Sequence, residues 1–260
     1  MEDNFEDNLF RSVKDKRDNK PEILEDHDID FVIDNDPFFA LLTLELTPRK
    51  TVLVEASLLC NLDAHVTLLT RLEGGLLQTL AKTLGREPLA LNQFTVDGHT
   101  GKLSLSPSLP GDILHHYLKD NRGVFIKAVS FLACKPTVQI DARFADMQGF
   151  YNDDSDVLLH LTGQGDLWFS CYGGTAAISV SEEMWFNPDY VVAFEDTLNY
   201  EVVENDGLSA EKNRLNMWGG KGRLCRFWGE GQLWLQSRQE NMFLNFLQPF
   251  LPHRRAFRSH

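Results

Sequence analysis

The feature that most constrains this sequence is a strand–glycine turn–strand pattern that occurs three times. The copies read LALNQFTV-DGHTG-KLSLS, DVLLHLT-GQG-DLWFS and GRLCRFW-GEG-QLWLQ. On both sides of each turn, apolar residues recur at the period expected of strands. A glycine turn between two such runs predicts a β-hairpin, so the pattern predicts a protein built mainly of β-strands.

The matched leucines of this pattern give the chain an internal period. Leu103, Leu167 and Leu233 follow the three turns, and aligning Leu44 with them gives intervals of 59, 64 and 66 residues. The segments ASLLCN, VSFLAC and YVVAFE match one another, as do HVTLL, TVQID and LNYEV, and we align TPRKT, LPGDI and SEEM as matching turns. Repeats of this length indicate supersecondary units that stack or surround an axis. We therefore predict a three-fold pseudo-symmetric all-β domain.

Two short helices and two tails complete the predicted organisation. The leucines of GGLLQTLAKTLGR share one helical face, and Phe243, Phe246, Leu247 and Phe250 predict a closing C-terminal helix. Residues 1–36 carry 13 acids against 5 Lys and Arg and are predicted to be an acidic, disordered tail. The β domain then spans residues 37–248, and residues 249–260 form a basic C-terminal tail.

The charge is distributed unevenly along the chain. The net charge is −13, which disfavours a general nucleic-acid binder because phosphate contacts need Lys and Arg. Residues 151–206 hold 12 acids and no Lys or Arg, whereas residues 207–260 hold 9 Lys and Arg against 3 acids. In a closed ring one surface meets a different surface of the next copy. We therefore expect an acidic face to meet a basic face that includes Arg223 and Arg226.

Targeting and membrane signals are not expected from this sequence. The acidic N-terminus fits neither a secretory signal nor a mitochondrial presequence. The longest apolar runs fall short of the roughly 20 residues that a transmembrane helix needs. The four cysteines are scattered singly, which is typical of a reducing compartment. A cytoplasmic protein without a transmembrane segment is the expectation.

Several segments together resemble the "altered inheritance of mitochondria" family of mitochondrial-biogenesis proteins. They are GGLLQTL, the run from FTVDG to SLPGDI, VSFLA, LTGQGDLWFS, DYVVAFEDTLNYEV and GEGQLWLQSR, within residues 37–248. The resemblance implies a fold similar to the tryptophan RNA-binding attenuation protein, with three repeats of that β-sandwich unit in each subunit. Bacterial members of the family form homotrimeric rings, so the resemblance implies a homotrimer. Departures occur at Pro48-Arg49, at Ser181–Glu183 and at Asn187–Asp189.

The resemblance implies fold and assembly more firmly than function, since the family has no established catalytic residue. We expect a non-enzymatic, homo-oligomeric scaffold or assembly protein, linked to membrane organisation by family analogy. The alternative is a module that binds RNA or a small molecule at repeat or subunit junctions. A protein partner could bind the acidic N-terminal tail, in which Phe5, Leu9 and Val13 would share one face of a helix.

Candidate sites are each better explained by structure than by chemistry. Adjacent His115 and His116 beside Asp112 would point to opposite faces of a strand, so no metal site is predicted. Ser130 and Cys134 have no base at motif spacing, and Trp168 and Trp234 are expected in the core rather than as platforms for stacking RNA bases. We predict no catalytic residue, no metal and no cofactor. The predicted structural turns are at Pro110, Gly111, Gly163, Gly165, Gly229 and Gly231.

Overall fold

The computed structural model describes residues 26–72, 91–119, 122–141, 150–151, 157–204 and 223–250. These residues form nineteen strands, one α-helix and four short 3₁₀ helices, so the all-β prediction is confirmed. The helix predicted over residues 74–84 and the basic tail beyond residue 250 lie outside the described residues. The closing helix α1 spans Glu240–Leu247, where it was predicted.

The strands after β1 (Asp30–Asp34) fall into three units of six, which confirms the three-fold internal repeat. The first unit contains β2 (Leu41–Leu46), β3 (Thr51–Glu55), β4 (Leu59–Leu62), β5 (Val66–Leu72), β6 (Leu91–Val96) and β7 (Gly101–Leu105). The second contains β8 (Ile113–Leu118), β9 (Val124–Lys127), β10 (Phe131–Cys134), β11 (Val138–Asp141), β12 (Leu158–Gly163) and β13 (Gly165–Ser170). The third contains β14 (Thr175–Val180), β15 (Met184–Phe186), β16 (Val191–Glu195), β17 (Asn199–Glu204), β18 (Arg223–Trp228) and β19 (Gly231–Gln236).

A 3₁₀ helix stands at the same place in every unit, between its second and third strands. These helices are Ala56–Leu58, Ala128–Ser130 and Pro188–Tyr190. They give a common origin for comparing residues of different units. The segments ASLLCN, VSFLAC and YVVAFE, matched in the sequence, overlap these helices and the strands that follow them.

The units interlock through shared sheets. Sheet 1 has the order β1-β2-β7-β4, and sheet 4 has the order β15-β18-β17. Sheet 2 runs β5-β6-β3-β10-β13-β8 and sheet 3 runs β11-β12-β9-β16-β19-β14. Each six-stranded sheet therefore joins three strands of one unit to three strands of the next. The three hydrophobic clusters each lie between two consecutive sheets.

The three glycine turns are present, but the predicted hairpins are wrong. The strands on either side of each turn belong to different sheets: β6 is in sheet 2 and β7 in sheet 1, and the same shift separates β12 from β13 and β18 from β19. Each turn passes the chain over a core instead of pairing its two strands. Gly163 makes such a corner with φ of 106°, in the region that favours glycine. Apolar alternation showed which faces are buried but not which strands are neighbours.

The repeat boundaries were also displaced in the sequence alignment. Leu44 lies in β2, the first strand of its unit, whereas Leu103, Leu167 and Leu233 lie in the last strands β7, β13 and β19. The turn at Pro110-Gly111 precedes a unit, while the turns aligned with it lie inside units. There Gly111 forms an isolated parallel bridge with Gly173, and a Cβ on Gly111 would overlap the carbonyl oxygen of Cys171.

The ordered domain begins earlier than predicted. Strand β1 lies within residues 1–36, and it pairs with β2 in antiparallel register from Asp30 opposite Glu45 to Asp34 opposite Leu41. Ile29 is fully buried, and Phe31 and Ile33 pack against the same cluster. The prediction of disorder is therefore wrong for residues 30–34. The many acidic residues on either side gave the segment the composition of a disordered tail, although its apolar residues alternate as in a strand. Residues 1–25 lie outside the described residues.

Candidate subunit interface

The repeat leaves two half-sheets at opposite ends of the chain. In sheets 2 and 3 the second strand of one unit pairs with the third strand of the next unit: β3 with β10, and β9 with β16. Two strands of the same kinds lack such a neighbour among the described strands. The third strand of the first unit, β4, ends sheet 1, and the second strand of the last unit, β15, ends sheet 4.

The β4 edge is exposed where its counterparts are buried. All residues of β10 are buried, and so is β16 up to Phe194. In β4, by contrast, Cys60, Asn61 and Leu62 are all exposed, and the side chain of Leu62 is 42% exposed. The difference follows from the missing neighbour, because β10 and β16 each pair with strands on both sides.

The β15 edge also presents apolar side chains. Met184 is exposed, Trp185 is half-buried, and Phe186 is buried in the last hydrophobic cluster. On its paired side, β15 aligns Trp185 with Arg226 of β18. Unpaired backbone N–H and C=O groups on such an edge form a template for another strand, and natural proteins cover or blunt them.

The two arginines proposed for an interface lie in β18, one strand in from this edge. Arg223 donates to the carbonyl oxygen of Tyr151 at 2.7 Å. Arg226 forms ion pairs with Glu201 and, at 3.5 Å, with Glu183. Its guanidinium also lies over the rings of Trp185 and Trp228, 5.9 and 5.3 Å from the centroids.

Part of the acidic stretch meets part of the basic stretch within a single chain. Residues 183 and 201 belong to the acidic stretch, and residue 226 belongs to the basic one. Strand pairing brings them together within one chain, because β15 and β17 flank β18. The charge of Arg226 is therefore largely balanced in its own subunit. The two ends of the repeat are distinguished by their open backbone edges, β4 at one end and β15 at the other, rather than by their net charges.

The other residues considered in the sequence occupy the core or its margin. Trp168 is fully buried and Trp234 nearly so, which confirms core packing and removes both as exposed platforms for bases. The ring of His115 faces Trp168 and that of His116 faces Trp234, so the two imidazoles diverge as predicted. Among the described residues, no group of three metal-ligating side chains comes together.

Cys60 and Cys134 fall at nearly matching positions of the sequence repeat, which predicts core packing for both, and this prediction is wrong for Cys60. Cys134, Cys171 and Cys225 are buried, whereas Cys60 is exposed on the β4 edge. Burial raises the pKa of Cys134, and burial with the charge of Asp189 raises the pKa of Cys225 to about 12. These two thiols therefore stay protonated at neutral pH and are poor nucleophiles.

Comparisons with known proteins agree with this architecture. A model of the family described as mitochondrial biogenesis AIM24 matches residues 31–238. An uncharacterised protein of Streptococcus pyogenes serotype M6 is 25% identical over an alignment 244 residues long, which covers 90% of this chain and 96% of that protein. A crystal structure of a Streptococcus pyogenes protein has a TM-score of 0.67 and 23% identity, covering 86% of this chain and 100% of that one. In the described part of the chain, no helix has the length and apolarity needed to cross a membrane.

Proposed function

The chain belongs to the mitochondrial biogenesis AIM24 family, and from this premise and its two open sheet edges we infer that it is a non-enzymatic scaffold that assembles head to tail with its own copies. The observation that carries the proposal is the half-sheet at each end of the chain. Sheet 4 holds the three strands that begin a six-stranded sheet, and sheet 1 holds the three that finish one, β4, β7 and β2, with β1 added at its far edge. A second copy can be placed so that its first unit follows the third unit of the first copy in the same way as the third unit follows the second. The half-sheets of the two copies then join into one continuous sheet.

The internal junctions predict the register of the contact between copies. Positions can be counted from the first residue of the 3₁₀ helix in each unit. The residue two positions before this point in one unit pairs with the residue five positions after this point in the next unit. Val54 thus faces Ala133 in sheet 2, and Ile126 faces Ala193 in sheet 3. Applied to the open edges, the same rule pairs Phe186 of one copy with Asn61 of the next. It also pairs Trp185 with Leu62, in antiparallel orientation.

Energetics favour completing the sheet. Pairing would exchange hydrogen bonds to water on both edges for hydrogen bonds between strands, and each such bond contributes a net stabilisation of about 0.5–1.5 kcal/mol. It would also cover the apolar surface that Leu62 and Met184 still expose, and burial contributes about 25 cal/mol per Å² of apolar surface. Because the contact joins two different surfaces, it generates a ring when the rotation closes. A homotrimeric ring of nine units is the proposed assembly, consistent with the family resemblance.

The experiment is a solution mass measurement by light scattering coupled to size exclusion. The parent chain should have a mass near three subunits, and Leu62→Glu should lower the mass because a carboxylate would face Trp185 and Glu183 of the preceding copy. The matched control is Leu69→Glu. Leu69 is also an exposed leucine of an end strand, β5, but the repeat assigns that edge no partner. A monomeric parent, or equal loss of mass in both variants, would overturn the proposal.

The scaffold would display loops and a tail to other components. By family analogy, we propose that this role belongs to membrane organisation. Recovery of a partner by the full chain but not by the Leu62→Glu variant would tie the role to assembly. Equal recovery by both proteins would show that partner binding does not depend on ring assembly.

A further inference from the structure

Two exposed aromatic surfaces lie at opposite ends of the repeated part of the chain. One is Phe38-Phe39, directly before the first unit, whose side chains are 68% and 72% exposed. The other, which we call the aromatic stripe, consists of Phe243, Phe246 and Phe250 on α1 and the 3₁₀ turn after it, and these are 47%, 66% and 74% exposed. Large apolar side chains are seldom this accessible in clusters on a folded protein. Each surface therefore calls for an occupant.

The segments that lead into the three units lie side by side in what we call the start row. The row consists of residues 38–40, 110–112 and 172–174. The N–H of Ala40 donates to the carbonyl oxygen of Gly111. The N–H of Asp112 donates in the same way to the carbonyl oxygen of Gly173, and Gly111 and Gly173 form the parallel bridge. Each segment therefore contacts the segment of the next unit in one common register.

This register makes Phe39 the counterpart of Gly111 and of Gly173. Gly111 is buried, because the start row continues on both sides of it. Among the described residues, Phe39 has a row neighbour on the side of Gly111 alone. The segment missing on its other side is the one that a third unit supplies, residues 172–174 of a preceding copy.

The aromatic stripe begins at the opposite end of the start row. The rings of Tyr172 and Phe243 pack edge to face with their centroids 6.2 Å apart, and the centroids of Phe246 and Phe250 lie 5.7 Å apart. In the common register Tyr172 is the counterpart of Phe38. The stripe therefore starts where Phe38 of a following copy would arrive.

The backbone bonds at this end of the row are already made within the chain. The N–H of Ser237 donates to the carbonyl oxygen of Gly174, and the N–H of Arg238 donates to that of Tyr172. A following copy can therefore extend the row only with side chains. The exposed apolar side chains that it brings to this place are those of Phe38-Phe39.

The N-terminal end of α1 is held firmly to the body, so the stripe has a fixed position. Glu240 Oε1 lies 3.1 Å from Nζ of Lys127, and the side chain of that lysine is almost completely buried. Gln239 also donates to the carboxylate of Asp189. A surface fixed in this way can receive a partner without first becoming ordered, which lowers the entropic cost of the contact.

We propose that Phe38 and Phe39 of one copy pack on the aromatic stripe of the preceding copy, beginning at Tyr172 and Phe243. The inference rests on the proposed head-to-tail assembly, because only a following copy places a first unit after a third unit. Aromatic rings pack favourably at centroid distances of about 4.5–7 Å. The contact is made by side chains and is separate from the backbone pairing of β15 with β4.

The test is amide hydrogen exchange of residues 240–250, measured by mass spectrometry on the full chain at a concentration where light scattering gives the mass of the assembly. In Phe38→Ser/Phe39→Ser these amides should exchange about fivefold faster than in the parent, because their cover is lost. The matched control is Val32→Ser. Val32 is 55% exposed on β1, the repeat assigns it no partner, and its variant should exchange like the parent. Amides of β13 serve as an internal reference for an unchanged fold.

The reciprocal variant examines the other side of the same contact. In Phe243→Ser/Phe246→Ser the amides of residues 38–40 should exchange about fivefold faster, because these residues would lose the surface on which they pack. A response on one side of the contact without the other would overturn the proposal.

The mass separates failure of this contact from failure of the assembly. A parent with the mass of one subunit would overturn the assembly and this contact with it. A parent with the mass of three subunits whose residues 240–250 exchange as fast as in Phe38→Ser/Phe39→Ser would overturn this contact alone. Protection of residues 240–250 that is equal in the parent and in Leu62→Glu would place the cover within one chain, and protection that appears only with phosphatidylglycerol vesicles would identify a lipid surface; both overturn the proposal.

Discussion

The Nε2 of His115 lies 2.9 Å from Oδ1 of Asp166, and both side chains are almost completely buried. The same carboxylate accepts hydrogen bonds from the backbone N–H groups of Asp28 and Ile29. Asp166 belongs to the second unit, whereas residues 28 and 29 lead into β1 at the edge of the first. This buried carboxylate therefore fixes the entry of the ordered chain across two units.

Replacing Asp166 with Ala should lower the free energy of unfolding by about 3 kcal/mol, because His115 and the N–H groups of residues 28 and 29 would lose their shared buried acceptor. Chemical denaturation measures the change. The control is Glu45→Ala, which removes an exposed pair with Lys102 at 3.1 Å and should cost less than about 1 kcal/mol. Similar losses in the two variants would show that the buried carboxylate has no special role.

Asp112 should make stability fall as the pH rises from about 4 to about 6. Burial, and then the hydrogen bond and charge of Asp36, raise the pKa of this carboxyl to about 6. The folded state therefore holds the proton more tightly than the unfolded state, and its contribution to stability is lost as pH rises through the folded pKa.

The variant Asp112→Asn should remove this pH dependence. A fully buried carboxyl whose pKa is raised to about 6 lowers the free energy of unfolding by roughly 3 kcal/mol at neutral pH. Asp112 is only half-buried, so we expect a loss of about 1 kcal/mol. The variant should thus be more stable than the parent at pH 7 and no more stable at pH 4. Parallel stability profiles for the two proteins would contradict this account.

Gly111→Ala should be strongly destabilising, by about 3 kcal/mol, because the new Cβ would overlap the Cys171 carbonyl oxygen and backbone has little room to move. Gly98→Ala is the control. Gly98 has φ of 73° but open space around its Cβ position, so only the backbone cost of about 1 kcal/mol applies. Thermal unfolding of both variants gives the comparison, and an equal shift in Tm would rule out the close approach as the cause.

Cys60 should become protected when copies assemble. It holds the place in β4 that Leu132 holds in β10 and Val192 in β16, and both of those are fully buried. Alkylation of Cys60 should be at least about tenfold slower in the parent assembly than in Leu62→Glu, as expected for a thiol covered by a partner strand. The buried Cys134 and Cys225 serve as unlabelled references. Equal labelling rates in the two proteins would mean that the β4 edge stays open.

Much of the fold was readable from the sequence because it depends on local patterns. Apolar alternation and glycine turns identified the strands, and matched segments such as VSFLAC and YVVAFE identified the repeat. The phenylalanines of α1 identified the closing helix. What these patterns report is which residues face a core, and that information does not specify the neighbouring strand.

The errors arose where long-range pairing decides the outcome. The strands around Gly163 pack on opposite sides of a core, so the turn between them is not a hairpin. Arg226 sits beside Glu201 because β18 pairs with β17, although sums of charge along the chain assigned them to different faces. The open edges of β4 and β15 could be recognised only from the strand order.

Disulfide trapping is the most direct test of whether β15 of one copy pairs with β4 of the next. With Cys60→Ser as background, chains carrying only Leu62→Cys are coexpressed with chains carrying only Trp185→Cys, and are then oxidised. The account predicts covalent dimers that contain one chain of each kind, with far fewer when Glu183→Cys replaces Trp185→Cys two residues out of register. Absence of the mixed dimer, or equal trapping at positions 183 and 185, would contradict the proposed sheet.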